Sequence, residues 1–331
     1  MSEKVEKHEL LSVRGIGPAT LQKLLDHGID TVEKLIISKP EEIATALGVS
    51  LARAKALQNE AKSVALAKVV EVWTGERMRE HMEKEVARIP TGIDGFDRIL
   101  GGGLPTGALV AFSGASATGK TEICYSVCVN CLKYLKRPFV WIETEPYTFS
   151  VARLLEIAKN RGVEVNLKSD FYVVPARDVA SNPDRLMLAY ERVQAEVDRM
   201  AVKPAVLVVD SFSSPFRQAF FGREMLSARS QETARHIGWL QAFSARYNVL
   251  TLLTEQVYAI PDMGQQFQAV ARFGDSRRPY GGEAFLHMVS MHVTLVRSKG
   301  DEWLLVTDDV PGIPMMEIRF KITDSGVVSS E

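Results

Sequence analysis

Through residues 10–63, apolar positions recur three and four apart, the spacing of short amphipathic helices. Within "VRGIGPATLQKLLDHGIDTVEKLI" the turn Gly15-Ile16-Gly17-Pro18 separates two such stretches, and a proline suits a first helical turn, so a helix is predicted to start at Pro18. "IATALGVSLARAKAL" reads as a second, degenerate copy. The pattern then changes: an apolar patch, "VVEVW", runs into the charged "GERMREHMEKEVAR", which predicts a linker, partly extended and partly helical. From Ile89 onward, strand-like runs ("ALVAFSG", "PFVWIET", "FYVVPA", "AVLVVDS", "VLTLLTEQV", "VSMHVTLV", "EWLLVT") alternate with helical patterns. Such alternation predicts an α/β core with a largely parallel sheet covered on both faces. The expected division is a helical domain over 1–65, a linker over 66–88 and the α/β core over 89–331.

Composition narrows the class. A chain of 331 residues, 46% hydrophobic and 24% charged, is neither disordered nor fibrous and has room for two domains of unequal size. The net charge of -1 decides nothing about nucleic acid, because a local basic strip suffices to hold a polyanion. No apolar run approaches the ~18 to 20 residues needed to cross a bilayer, and "MSEKVEKHELL" lacks the apolar segment of a secretory signal. An intracellular protein with no membrane partner is therefore expected. Cys124, Cys128 and Cys131 share one helix face, and reduced thiols packed in a core are expected there rather than a metal site.

The stretch Gly114-Ala115-Ser116-Ala117-Thr118-Gly119-Lys120-Thr121 fully matches the glycine-rich phosphate loop. An apolar strand precedes it and a helix follows, the context that lets backbone N–H groups close around phosphates. Lys120 would place a point charge on the β- and γ-phosphates and the Thr121 hydroxyl would bind magnesium, with Asp210 of "AVLVVDS" completing the metal shell. Glu143 and Glu145 end another strand, and either could orient an attacking water. Arg217, Arg223, Arg229 and Arg235 form a local positive surplus in a glycine-containing loop and the helix after it, suited to sequence-independent phosphate contacts. Of these, Arg229 and Arg235 read rather as helix-surface partners of carboxylates, with Arg229 kept as a candidate DNA contact. The long stretch from Tyr258 to Tyr280 reads as a second functional loop, with Phe267 and Arg272 as candidate DNA contacts and Phe267 read equally as a loop anchor.

Several ordered motifs resemble one family over nearly the whole chain, from about Gly15 to Gly326: "PTGIDGFDRILGGGLPTG", "VVDSFSSPFR", "GREMLSARSQETARHI", "TEQV" and "DSRRPYGGEAFLHM". They resemble the RadA-type recombinases, the archaeal and eukaryotic branch of the RecA superfamily. The helical region similarly resembles a helix-hairpin-helix module, which touches DNA backbone. The fold so implied is a RecA-like P-loop ATPase core with a mostly parallel central sheet, preceded by a small all-helical helix-hairpin-helix domain. The resemblance implies that Glu145 activates water, that Arg153 stacks on adenine, and that Gln256 senses the γ-phosphate. It also implies that Asp275 and Pro279 cap the nucleotide of a neighbouring subunit, that His287 lies near the γ-phosphate, and that potassium can occupy the cap beside Asp275.

The sequence departs from the family in places. The usual Phe-x-x-Ala assembly signal is replaced within "VVEVWTGERM", where Val72 or Trp73 would serve as the oligomerisation anchor. Glu143 stands where the family keeps Asp, Glu122 where it keeps Gln beside the phosphate loop, and Phe149-Ser150-Val151-Ala152-Arg153 where it keeps Phe-Arg-Pro-Glu-Arg. The expected function is a DNA-dependent ATPase, using ATP and Mg2+, that forms homo-oligomers (a filament or a ring) on single-stranded DNA and pairs it with double-stranded DNA. The alternative is a non-catalytic paralogue, a mediator that stabilises a second recombinase. The location would be cytoplasmic in an archaeon and nuclear in a eukaryote.

Overall fold

The computed structural model describes residues 8–69, 71–180, 182–259, 277–279, 282–298 and 300–330. The chain divides into two compact units, Met1–Glu80 and His81–Glu331.

The first unit is helical. A 3-10 turn at Glu9–Ser12 leads to α1 (Pro18–Asp26), α2 (Val32–Ile37), α3 (Pro40–Leu47) and α4 (Leu51–Val69), and α5 (Gly75–Lys84) begins within it. Helix α1 starts at Pro18 as the turn chemistry dictates, with Gly15 at φ +96°, a conformation open to glycine and strained for other residues. Leu10, Leu21, Leu24, Leu35, Ile43 and Leu57 fill its core. Buried Gln58 donates Nε2 to the carbonyls of Leu35, Ile36 and Ser38 at 3.2, 3.3 and 2.6 Å, satisfying acceptors that the end of α2 leaves open. Helix α4 continues to Val69, into the stretch read as linker; the chain is non-helical over 71–74 before α5.

In the second unit, β1 (Arg88–Ile89) pairs with β2 (Leu104–Pro105) across α6 (Asp94–Ile99). Then come β3 (Leu109–Gly114), α7 (Lys120–Asn130) with a π-helical extension at Cys131–Leu135, β4 (Phe139–Glu143), α8 (Val151–Asn160), β5 (Phe171–Val174), α9 (Ala176–Val179), α10 (Pro183–Arg199) and β6 (Val206–Asp210). The chain continues through α11 (Ser214–Ala219), a 3-10 turn (Arg223–Met225), α12 (Leu226–Tyr247), β7 (Leu250–Ala259), β8 (Arg277–Pro279) and α13 (Gly282–Met288). Strands β9 (Met291–Arg297), β10 (Trp303–Asp309), β11 (Glu317–Thr323) and β12 (Gly326–Ser329) complete it.

Nine strands follow the order β12-β11-β10-β9-β3-β7-β6-β4-β5, and β8 lies antiparallel to β7. From β9 to β5 every pairing is parallel; β10, β11 and β12 are antiparallel additions. Both faces are covered, because successive residues of one strand enter different cores: Val110 and Phe112 of β3 pack with Trp141 and Phe320, whereas Leu109 and Ala111 pack with Ile142 and Phe243. Strands β11 and β12 were absent from the strand-like runs read in the sequence. On β11 only Phe320 is buried, so "EIRFKIT" shows the polar face of an edge hairpin rather than an apolar run.

The three cysteines are buried with free thiols. Burial pushes Cys124 and Cys128 well above the usual thiol range and Cys131 up to about 12, so the protonated, packed form prevails.

Candidate nucleotide site

Four parallel strands end side by side: β3 at Gly114, β7 beyond Gln256, β6 at Asp210 and β4 at Glu143. Register pairs Gly114 with Gln256 and Glu143 with Asp210, so residues far apart in sequence meet at one sheet edge, the place where open α/β sheets bind ligands. Residues 115–119 bridge β3 to α7. Ala117 at φ +61° and Gly119 at φ +91° curl the loop so that its N–H groups can converge on an anion. A Cβ on Gly114 would come 2.5 Å from both the Leu295 carbonyl and Thr118 Oγ1, so only glycine permits this close packing. Trp303 Nε1 donates to the Ala117 carbonyl at 3.2 Å and Thr118 Oγ1 to the Ala115 carbonyl at 2.9 Å, fixing the loop from outside and inside.

Lys120 is buried, with Nζ donating to the Gly114 and Ala115 carbonyls at 2.9 and 2.7 Å. Desolvation lowers its pKa, and the charges of Asp210, Glu145 and Glu255 pull it back up. Thr121 Oγ1 donates to Asp210 Oδ2 at 2.9 Å, and Thr254 Oγ1 donates to Asp210 Oδ1. Burial raises the Asp210 pKa, against the opposing hydrogen bonds of Thr254 and Thr121. A hydroxyl and a carboxylate side by side at a phosphate-loop helix fit magnesium held jointly with nucleotide phosphates. They do not make an all-protein cage: among the described residues no group of three or more His, Cys, Asp or Glu is placed to hold a metal.

The two glutamates of β4 and its following loop part company. Glu143 Oε1 accepts from the Thr148 and Phe149 N–H groups at 2.8 and 3.1 Å, and Oε2 from Ala176 N at 3.2 Å, so it holds a loop. Glu145 Oε1 accepts from Ser211 Oγ at 3.0 Å, Arg217 Nη2 at 3.0 Å and Gln256 Nε2 at 3.3 Å. Arg217 Nη1 donates in turn to Gln256 Oε1. Arg217, expected on DNA, therefore has its side chain on Glu145 and Gln256. Tyr125, which no motif indicated, braces the same loop: its OH donates to the Thr148 carbonyl at 3.2 Å and accepts from Ser150 N at 2.5 Å. Its ring stacks on Trp141 with centroids 4.9 Å apart.

Arg153 is engaged on several sides. Its guanidinium is bonded to both Glu122 oxygens, with Nη2–Oε2 2.8 Å, and Nη1 pairs with Glu156 at 2.5 Å. Nη2 also donates to the Thr323 carbonyl at 2.6 Å. The departure at Glu122 thus supplies the carboxylate that holds Arg153.

Pro279 lies opposite Val257 in the β7–β8 pair, one residue beyond Gln256, and His287 is exposed on α13. Arg223 stands in its 3-10 turn and Arg229 is half-buried on α12, while Arg235 pairs with Glu232 at 2.8 Å and Asp184 at 3.3 Å. Phe267, Arg272 and Asp275 lie outside the described residues. Val72 is 93% exposed. Trp73 Nε1 donates to Glu71 at 2.6 Å, and the Arg77 guanidinium sits 4.9 Å over its ring.

The profile described as Rad51 matches residues 82–330, and the SAM-like helix-hairpin-helix tandem profile matches residues 7–63. The DNA repair and recombination protein RadA of Ignicoccus hospitalis is 30% identical over 347 residues, covering 100% of this chain and 98% of that protein. The protein of the same name from Metallosphaera sedula is 29% identical over 343 residues, covering 100% of both. Matched by the Rad51 profile over residues 82–330 and 30% identical to a relative along its whole length, the chain belongs to the Rad51 family.

Proposed function

We propose that this protein binds and hydrolyses ATP and uses the nucleotide state to control assembly on single-stranded DNA, where it promotes homologous pairing and strand exchange. The observation that carries the reading is Glu145 meeting Gln256 beside Lys120 and the Thr121–Asp210 pair. Backbone N–H groups of residues 114–121 hold the phosphates, and Lys120 leaves its loop carbonyls to meet the β- and γ-oxygens. Thr121 and Asp210 would hold magnesium, which would spread the charge of the phosphates. Glu145 orients the attacking water and accepts its proton. Gln256 senses whether the γ-phosphate is present.

Arg153 faces the adenine, held by Glu122. Asp275 and Pro279 of one protomer close over the nucleotide of the next, with His287 near the γ-phosphate. Arg223, Arg229, Phe267 and Arg272 meet DNA, the arginines through phosphates and Phe267 between bases. Sequence is read by pairing between DNA strands, so the protein itself needs backbone contacts above all. Lys120→Ala should abolish ATP-dependent binding to single-stranded DNA in a filter or anisotropy assay; binding equal to the unaltered protein would contradict the mechanism.

A second reading, a mediator that stabilises another recombinase, draws on the assembly segment. Trp73 is engaged with Glu71 and Arg77 inside its own unit, while Val72 is exposed. Joint molecules formed by the purified protein alone favour the recombinase; activity only beside a partner favours the mediator.

A further inference from the structure

We propose that Arg217 is a positioning residue for Glu145, working at the ATP site instead of on DNA phosphates; the inference rests on Glu145 being the water-activating group. Arg217 lies on α11, which follows β6 and its Asp210. Its guanidinium divides its fork between two functional groups, Nη2 on Glu145 Oε1 at 3.0 Å and Nη1 on Gln256 Oε1. Its side chain is 31% exposed and that of Glu145 29%, so the pair is partly desolvated and stronger than one in open water.

The carboxylate is oriented from three directions. Ser211 Oγ, Arg217 Nη2 and Gln256 Nε2 all converge on Oε1, at 3.0, 3.0 and 3.3 Å. Among the described residues no donor bonds Oε2, and on this proposal it is the oxygen that meets the water. A planar, forked cation can set both the plane of the carboxylate and the spacing between Glu145 and Gln256; an ammonium, a point charge on a flexible stem, can restore only part of this. Helix α11 leads directly into Phe221, 85% exposed, and the turn that begins at Arg223. The residue that sets the catalytic carboxylate therefore heads the segment expected to meet DNA, so strand contact and water activation share one lever.

The test uses the full-length chain carrying Arg217→Ala and Arg217→Lys, each checked for an unchanged melting temperature. Hydrolysis with saturating single-stranded DNA should lose about 10- to 100-fold in kcat for Arg217→Ala with KM for ATP unchanged, as expected when a misaligned group is used only in the transition state. Arg217→Lys should recover part of the rate. Combining Arg217→Ala with Glu145→Gln should slow hydrolysis no further than Glu145→Gln alone, because both act through one carboxylate. The salt dependence of DNA binding, read with a non-hydrolysable ATP analogue, should keep its slope in Arg217→Ala.

A slope reduced by ~0.7, the loss of one phosphate contact on a single strand, overturns the proposal whatever the rate. A kcat equal to the unaltered protein does the same. Full hydrolysis in Glu145→Gln would instead refute the role of Glu145, and the salt slope would still decide whether Arg217 touches DNA.

Discussion

His236 lies on α12 with none of its surface exposed, 4.9 Å edge-on from the ring of Phe216 and 5.4 Å from that of Tyr190. Neither ring nitrogen has a hydrogen-bond partner among the described residues, and Glu232 Oε2 is 4.0 Å away, too far for a hydrogen bond. Burial, aided by the charge of Arg235, lowers its pKa from 6.5 to about 3. A histidine depressed in the folded state contributes its full stability above pH 6.5 and loses it as pH falls toward 3. The unfolded chain takes up the proton first, so stability should fall by ~1.4 kcal/mol per pH unit below that point. His236→Phe, which keeps the ring packing, should flatten the decline in urea denaturation between pH 6.5 and 4; an unchanged slope would place the acid sensitivity elsewhere, with His292, lowered to about 4, the next candidate.

The glutamates of "FVWIETE" yield a second residue-scale prediction. Glu143 accepts three backbone N–H groups, so Glu143→Ala should cost about 1 to 3 kcal/mol in thermal or urea unfolding. Glu145→Ala should remove hydrolysis. Residue types and strand-end positions made both candidates legible in the sequence and the resemblance pointed to Glu145, but the anchoring role of Glu143 was not legible. It depends on which backbone N–H groups the loop turns toward Glu143, and that is a tertiary property. Arg217 was opaque for the same reason: a run of arginines near a glycine reads as a phosphate-binding strip, and only the proximity of α11 to the ends of β4 and β7 directs one of them inward.

At the scale of elements, α7 is anchored at its far side by the β11–β12 hairpin. Arg161, near the end of α8, donates Nε to the Ser325 carbonyl at 2.6 Å, Nη1 to Asn130 Oδ1 at 2.8 Å, and Nη2 to Ser126 Oγ at 3.2 Å and the Val327 carbonyl at 2.9 Å. Val327 N donates to Ser126 Oγ at 2.9 Å, so one guanidinium and one hydroxyl clamp β12 onto the helix that begins with Lys120. Arg161→Ala leaves several acceptors without a donor and should destabilise the core by about 3 kcal/mol. Hydrogen exchange should lose protection first over residues 317–329; loss confined to α8 would show that the clamp holds nothing beyond its own helix. The central parallel strands were legible because burial on both faces writes them as continuous apolar runs. The hairpin was not, because its outer face is wet and its attachment runs through an arginine, a serine and backbone carbonyls, which leave no apolar pattern.

For the whole molecule, on the proposed function, a local basic strip holds DNA despite the net charge of -1, and repeating that strip over many protomers multiplies the hold. Tight binding should therefore require assembly, and assembly should require ATP if the nucleotide is shared between neighbours. Electron microscopy of the protein on single-stranded DNA, with and without ATP, tests this most directly. The account predicts long regular assemblies with ATP and none without it; single protomers scattered on DNA alike in both conditions would contradict it.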